Sequence, residues 1–71
     1  MTITQEEIEQ RFTYHAPKGD QAERYTSIRA KAKEMALLVS SLVPESREQS
    51  VSLTKLDEAV MWANAGIARN E

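Results

Sequence analysis

Apolar residues recur along this chain at steps of three and four, the period of an α-helix, in three separate runs. The longest lies in LTKLDEAVMWANAGIARN, Leu53 to Asn70, where Leu53, Leu56, Val60, Ala63 and Ile67 form one stripe. Met61 and Trp62 fall off that stripe, next to Ala65 and Gly66. A helix in a lone two-helix hairpin needs only one apolar stripe. The surplus is read as surface for other copies of the chain. The second run holds Tyr25, Ile28, Ala32, Met35, Val39 and Leu42, a seam of the a/d kind that Leu38 widens. The first run is brief: Ile8 and Phe12, four apart, share a face. An isolated helix that short is unstable in water, so the pair is expected to dock on something.

Polar residues set the ends of these runs. Thr4-Gln5-Glu6-Glu7 fits a capping box and starts a helix from about Gln5 to Phe12. Glu6, Glu7 and Glu9 suit the positive end of its dipole. Asp20-Gln21-Ala22-Glu23 is a second capping box and opens a helix from Gln21 to about Leu42. Between the two lies a connector in which Pro17 forces Ala16 to be extended and Gly19 permits a positive φ. Pro44 stops the second helix, pushes Val43 out of the α region and suits the first turn of the next helix. Ser46 with Gln49 offers a further box, and the third helix runs to about Arg69. The connection between the second and third helices is short, which makes them antiparallel neighbours. The expected architecture is all-α and spans residues 1–71 as one domain. A short N-terminal helix is followed by an antiparallel two-helix hairpin, and the whole assembles as a compact homo-oligomer.

Composition supports the oligomer by removing other staples. A chain of 71 residues buries little surface. It has no cysteine, so a disulfide framework is excluded, and one histidine cannot build a metal site. Association is the remaining way to enlarge the core. The net charge of −2 gives no general attraction to acidic membranes or polymeric nucleic acid, so a polyanion ligand needs a local basic site. No apolar run is long enough to span a membrane. MTITQEEIEQ has neither the charge nor the apolar core of a signal peptide, which makes a cytosolic location the default.

The candidate chemistry is binding, not catalysis. The only histidine sits in a connector without a nucleophilic cysteine, and two distant glycines make no phosphate loop. Asp57 and Glu58 are adjacent on a helix and point apart. Ser40, Ser41, Ser50 and Ser52 read as ordinary surface or helix-end serines. Tyr14 and His15 offer π faces on which a nucleobase can stack, although packing on the bundle is the plainer role for Tyr14. Arg29, Lys31 and Lys33 fall within five residues with no intervening acid. Arg29 and Lys33 share one face, and Lys31 shares another with Arg24. A solvated helix surface explains such charges; an anion site explains their local excess. Thr26 and Ser27 add hydroxyl donors one turn earlier. Trp62, among small residues, reads first as an interface side chain and second as a stacking one.

Taken together, RFTYHAPKGDQ (11–21), PESREQS (44–50) and LTKLDEAVMWANAGIARNE (53–71) resemble the small helical-hairpin domain of the phage anti-CBASS proteins and the related anti-Thoeris sponges. The resemblance implies a homohexamer in the host cytoplasm. It implies a sponge that sequesters bacterial cyclic dinucleotides and trinucleotides without cleaving them, so CBASS-type anti-phage signalling is blocked. It implies no enzyme activity, no cofactor and no metal. Tyr14 matches the family's base-stacking aromatic. Arg29 matches its phosphate-holding base, with Lys31 or Lys33 as alternates. Arg69 matches the arginine lining the trinucleotide pockets. His15, Thr26 and Ser27 complete the expected ligand-binding set. The contrasting expectation is a helical protein–protein interaction module, an adaptor or inhibitor without a nucleotide ligand. Binding of linear nucleic acid through Arg24 to Lys33 is opposed by the acidic balance.

Overall fold

The computed structural model describes residues 2–71. These form three helices, α1 (Gln5–Phe12), α2 (Gln21–Leu42) and α3 (Arg47–Asn70), with no strand among the described residues. The bounds of α1 and α2 are those expected from the sequence. At α1, the Thr4 side chain accepts from the Glu7 amide at 3.1 Å, which is the half of the capping box that matters most to an N-terminus.

The second expected box is not made. Asp20 sits at φ −89°, ψ 11°, outside the extended conformation of a capping residue, and its side chain caps nothing. Its carboxylate accepts instead from Arg24 Nε at 3.1 Å. The start of α2 is fixed from behind: Gln21 Oε1 accepts from the Lys18 amide at 3.1 Å, and the Gln21 amide donates to the Lys18 carbonyl at 3.1 Å. Gly19, at φ 57°, closes that turn in the left-handed region.

Pro44 is not in α3, contrary to expectation. Ser46 caps the helix, accepting from the Gln49 amide at 3.1 Å and donating to the Pro44 carbonyl at 2.8 Å. Gln49 does not return the bond. Its Nε2 donates to the carbonyls of Ser40 and Val43, at 3.3 and 3.0 Å. These lie at the end of α2, where carbonyls lack helical partners. One side chain near the start of α3 thus closes the end of α2.

α2 and α3 pack on each other along a half-buried seam. On α2 it consists of Tyr25, Ile28, Ala32, Ala36 and Val39, while Met35, Leu38 and Leu42 stay 51%, 51% and 72% exposed. A strict 3.5-residue repeat points to Met35; a straight helix at 3.6 residues per turn drifts to Ala36. On α3 the seam is Leu53, Leu56, Val60, Asn64 and Ile67, and Ala63 is exposed. A four-step from Val60 reaches Asn64 as readily as a three-step reaches Ala63, and alanine loses little by facing solvent. The Ile8 and Phe12 pair does not dock within the chain, with Phe12 82% exposed.

The molecule measures 45 × 32 × 15 Å, so it is one helix layer thick. Its radius of gyration is 15.5 Å, against about 11 Å for a compact chain of this length. Its accessible surface is 5905 Å², about 1,450 Å² more than the size-scaling of monomers gives. No apolar side chain among the described residues is fully buried.

Candidate ligand-binding site

Polar contacts pin the connector that carries Tyr14. His15 Nε2 meets the Gln10 carbonyl at 2.8 Å; the carbonyl can only accept, so Nε2 carries the proton. Gln10 Nε2 donates to the Arg69 carbonyl, tying α1 to the end of α3. Gln21 is 3% exposed, and its Nε2 donates to Glu71 Oε1 at 3.2 Å. Arg24 grips the same carboxylate with both arms, Nη1 to Oε2 at 2.7 Å and Nη2 to Oε1. The forked match of guanidinium to carboxylate makes this a strongly directional contact. Tyr14 itself is 83% exposed.

These bonds hold the Glu71 carboxyl far below its ordinary 4.5, at about 2, through Arg24 first and Gln21 second. The Arg24 guanidinium is correspondingly held more firmly protonated. A carboxylate lowered in the folded state contributes stability above its unfolded pKa, and that stability is lost as pH falls through the folded value. The melting temperature of the native chain is therefore expected to exceed that of Glu71→Gln at pH 6. The gap is expected to close between about pH 4.5 and pH 2. The contact is partly exposed, so the gap will be modest and will shrink with salt. Parallel profiles over that range would remove Glu71 as the group responsible.

A second feature lies between the helices. One face of the hairpin carries an open groove of about 610 Å³, within the size range of small-molecule sites. Arg29 and Lys33 of α2 line it on one side, Asp57 and Asn64 of α3 on the other, over Leu56 and Val60. Arg29 stands eight residues along α2 from Gln21, about 12 Å at 1.5 Å per residue. The pinned connector and the basic groove are thus separate clusters within one chain.

The expected site residues distribute unevenly over these two places. Arg29 and Lys33 share the groove and have no acidic partner among the described residues. Lys31 is not in the groove; it reaches Glu34 at 3.4 Å. Thr26 lies three residues before Arg29, on the same flank, while Ser27 turns outward. Both hydroxyls donate to their own helix, Thr26 to the Ala22 carbonyl and Ser27 to the Glu23 carbonyl, each at 3.0 Å. Neither is a free donor, although both oxygens can still accept. His15 and Arg69 meet at the connector through Gln10, and the Arg69 side chain has no acidic partner among the described residues. The residues that sequence reading missed are Gln21, Glu71 and Asn64. Contacts spanning 47 to 50 positions leave no local pattern.

Residues 4–68 match a family model described as Acb2/Tad1, hairpin domain. The chain belongs to the Acb2/Tad1 hairpin family. This is the family of the anti-CBASS and anti-Thoeris sponges, ligand-sequestering domains. The Acb2/Tad1 match runs from the cap of α1 into the last turn of α3. It contains the connector, the groove and every expected site residue except Arg69. That arginine and its neighbour Glu71 lie just beyond the matched span. No curated protein and no solved structure matches the chain.

Proposed function

We propose that this Acb2/Tad1 hairpin is a phage-encoded sponge acting in the host cytoplasm. It binds cyclic dinucleotide and trinucleotide second messengers of bacterial immunity and holds them without cleavage. Its protomer is the short helix with the antiparallel hairpin, and its working form is a homohexamer. The observation carrying this reading is the state of the cations. Arg29 and Lys33 stand together on one wall of an apolar groove, with no counter-ion among the described residues. Unpaired cations beside an apolar wall favour an anionic ligand, and arginine grips phosphate with two parallel bonds. Tyr14 supplies a free π face for a base. In one chain it stands apart from the groove, which favours a site completed by the connector of a neighbouring copy. Arg69 serves the separate trinucleotide pockets, and Lys31 is the weaker phosphate candidate because Glu34 holds it.

Isothermal calorimetry with cyclic dinucleotides and trinucleotides, paired with native mass spectrometry, tests this reading. The expected result is saturable heat with at least one class and a hexamer that retains ligand unchanged. Absence of heat across the panel would end the sponge reading. The exposed Met61 and Trp62, at 57% and 71%, also suit a protein-binding module. That alternative would show as a monomer or dimer by sedimentation, with no nucleotide affinity.

A further inference from the structure

The groove contains a group that a phosphate site does not explain. Asp57 lines it opposite Arg29 and Lys33, yet it makes no ion pair with either, or with any other described residue. A bare carboxylate repels phosphate and lowers the affinity of the very cations it faces. It becomes favourable only if the ligand brings hydrogen-bond donors to it. Seven residues on, two helical turns along the same flank, Asn64 lines the same wall. Its amide oxygen is sealed from solvent without a hydrogen-bond partner among the described residues. An orphaned acceptor of this kind is costly, and it gains a partner once the amide turns toward a donor in the groove. Leu56 and Val60 between the two polar walls give an apolar floor suited to the flat face of a base.

We infer that Asp57 is the base-reading residue of this groove and makes it select guanine-containing cyclic dinucleotides. The inference rests on the sponge reading and names the ligand class of the same site. A carboxylate has only acceptors, two oxygens side by side. The Watson–Crick edge of guanine offers two adjacent donors, N1–H and the N2 amino group, which match those oxygens one to one. Adenine and cytosine each set one amino donor beside a ring-nitrogen acceptor that opposes the carboxylate. Uracil sets a single N–H between two carbonyls. Guanine alone turns Asp57 from a repulsive group into a bidentate partner. The same carboxylate rejects the other bases, because it would be left facing an acceptor.

Calorimetry of the native protein, Asp57→Asn and Asp57→Glu with cyclic di-guanylate and cyclic di-adenylate tests the assignment. The native protein is expected to prefer cyclic di-guanylate. Asp57→Asn should lose between about 5-fold and 150-fold in affinity for it, the range of one bidentate base contact. The same variant should bind cyclic di-adenylate as well as or better than the native chain, because a charge facing phosphate is gone. Asp57→Glu should keep the guanine preference at reduced affinity. Equal native affinity for the two ligands would overturn the assignment. So would an equal loss for both in Asp57→Asn, or dissociation of that variant by sedimentation, since either marks a structural role. If the native protein binds neither ligand nor any other cyclic nucleotide, the sponge reading itself fails and this inference falls with it.

Discussion

Trp62→Glu is expected to dissociate the assembled protein and leave protomers that unfold at low concentration. The indole is 71% exposed on the face of α3 turned away from α2, and no apolar side chain among the described residues is fully buried. A plate 15 Å thick has no interior of its own. An aromatic side chain covers roughly 150–250 Å² when buried, or about 4–6 kcal/mol at 25 cal/mol per Å². Truncations at well-packed interfaces usually cost about 2–4 kcal/mol. Even the lower figure weakens each contact about 30-fold. Glutamate adds the desolvation of a charge to that loss. The proposed hexamer couples folding to association by mass action, so under that proposal the melting temperature should depend on protein concentration and fall for the variant. Sedimentation velocity reads the first effect and thermal melting the second, with Trp62→Phe as the control that keeps most of the apolar area. A Trp62→Glu protein that sediments like the native one would move the assembly surface elsewhere, with Met35, Leu38 and Leu42 on α2 the next candidate.

What the sequence made legible was whatever chain-local chemistry decides. The ends of α1 and α2 follow from Thr4, Pro17, Gly19 and Pro44, each acting on backbone within a few residues. The split of Arg29 and Lys33 from Lys31 follows from the helical period alone. Of the expected seam residues, Met35, Leu38, Leu42 and Ala63 are exposed, and two of these failed at the same kind of place, Met35 against Ala36 and Ala63 against Asn64. There the apolar pattern permits two steps, and packing against the facing helix chooses between them. Polar residues failed differently. Asp20 and Gln49 occupy positions where capping boxes begin and end, but each found a stronger or less satisfied partner: Arg24 for one, the end of α2 for the other. The grip of Arg24 on Glu71 joins the two ends of the hairpin and has no signature in either stretch. The groove is hidden for the same reason, since Asp57 is unremarkable until Arg29 and Lys33 are placed across from it.

Tyr14→Ala should weaken cyclic dinucleotide binding by about 5-fold to 150-fold, the range of one base–aromatic stack at roughly 1–3 kcal/mol. The ring is 83% exposed, so removing it sacrifices almost no packing within the chain. Its melting temperature and sedimentation should therefore match those of the native protein. The expected loss is large for a single exposed side chain because the backbone beneath it is already ordered. His15 to Gln10, Gln10 to Arg69, Lys18 to Gln21 and Arg24 to Glu71 anchor the connector at both ends. A ring presented by a fixed loop loses little freedom on binding, so more of the stacking energy survives as affinity. Tyr14→Phe separates the ring from the hydroxyl. If stacking is the interaction, phenylalanine binds nearly as well as tyrosine. A Tyr14→Phe loss equal to that of Tyr14→Ala would assign the contact to the hydroxyl. A Tyr14→Ala protein that no longer assembles would place the ring in the contact between copies, and the base would then need another platform.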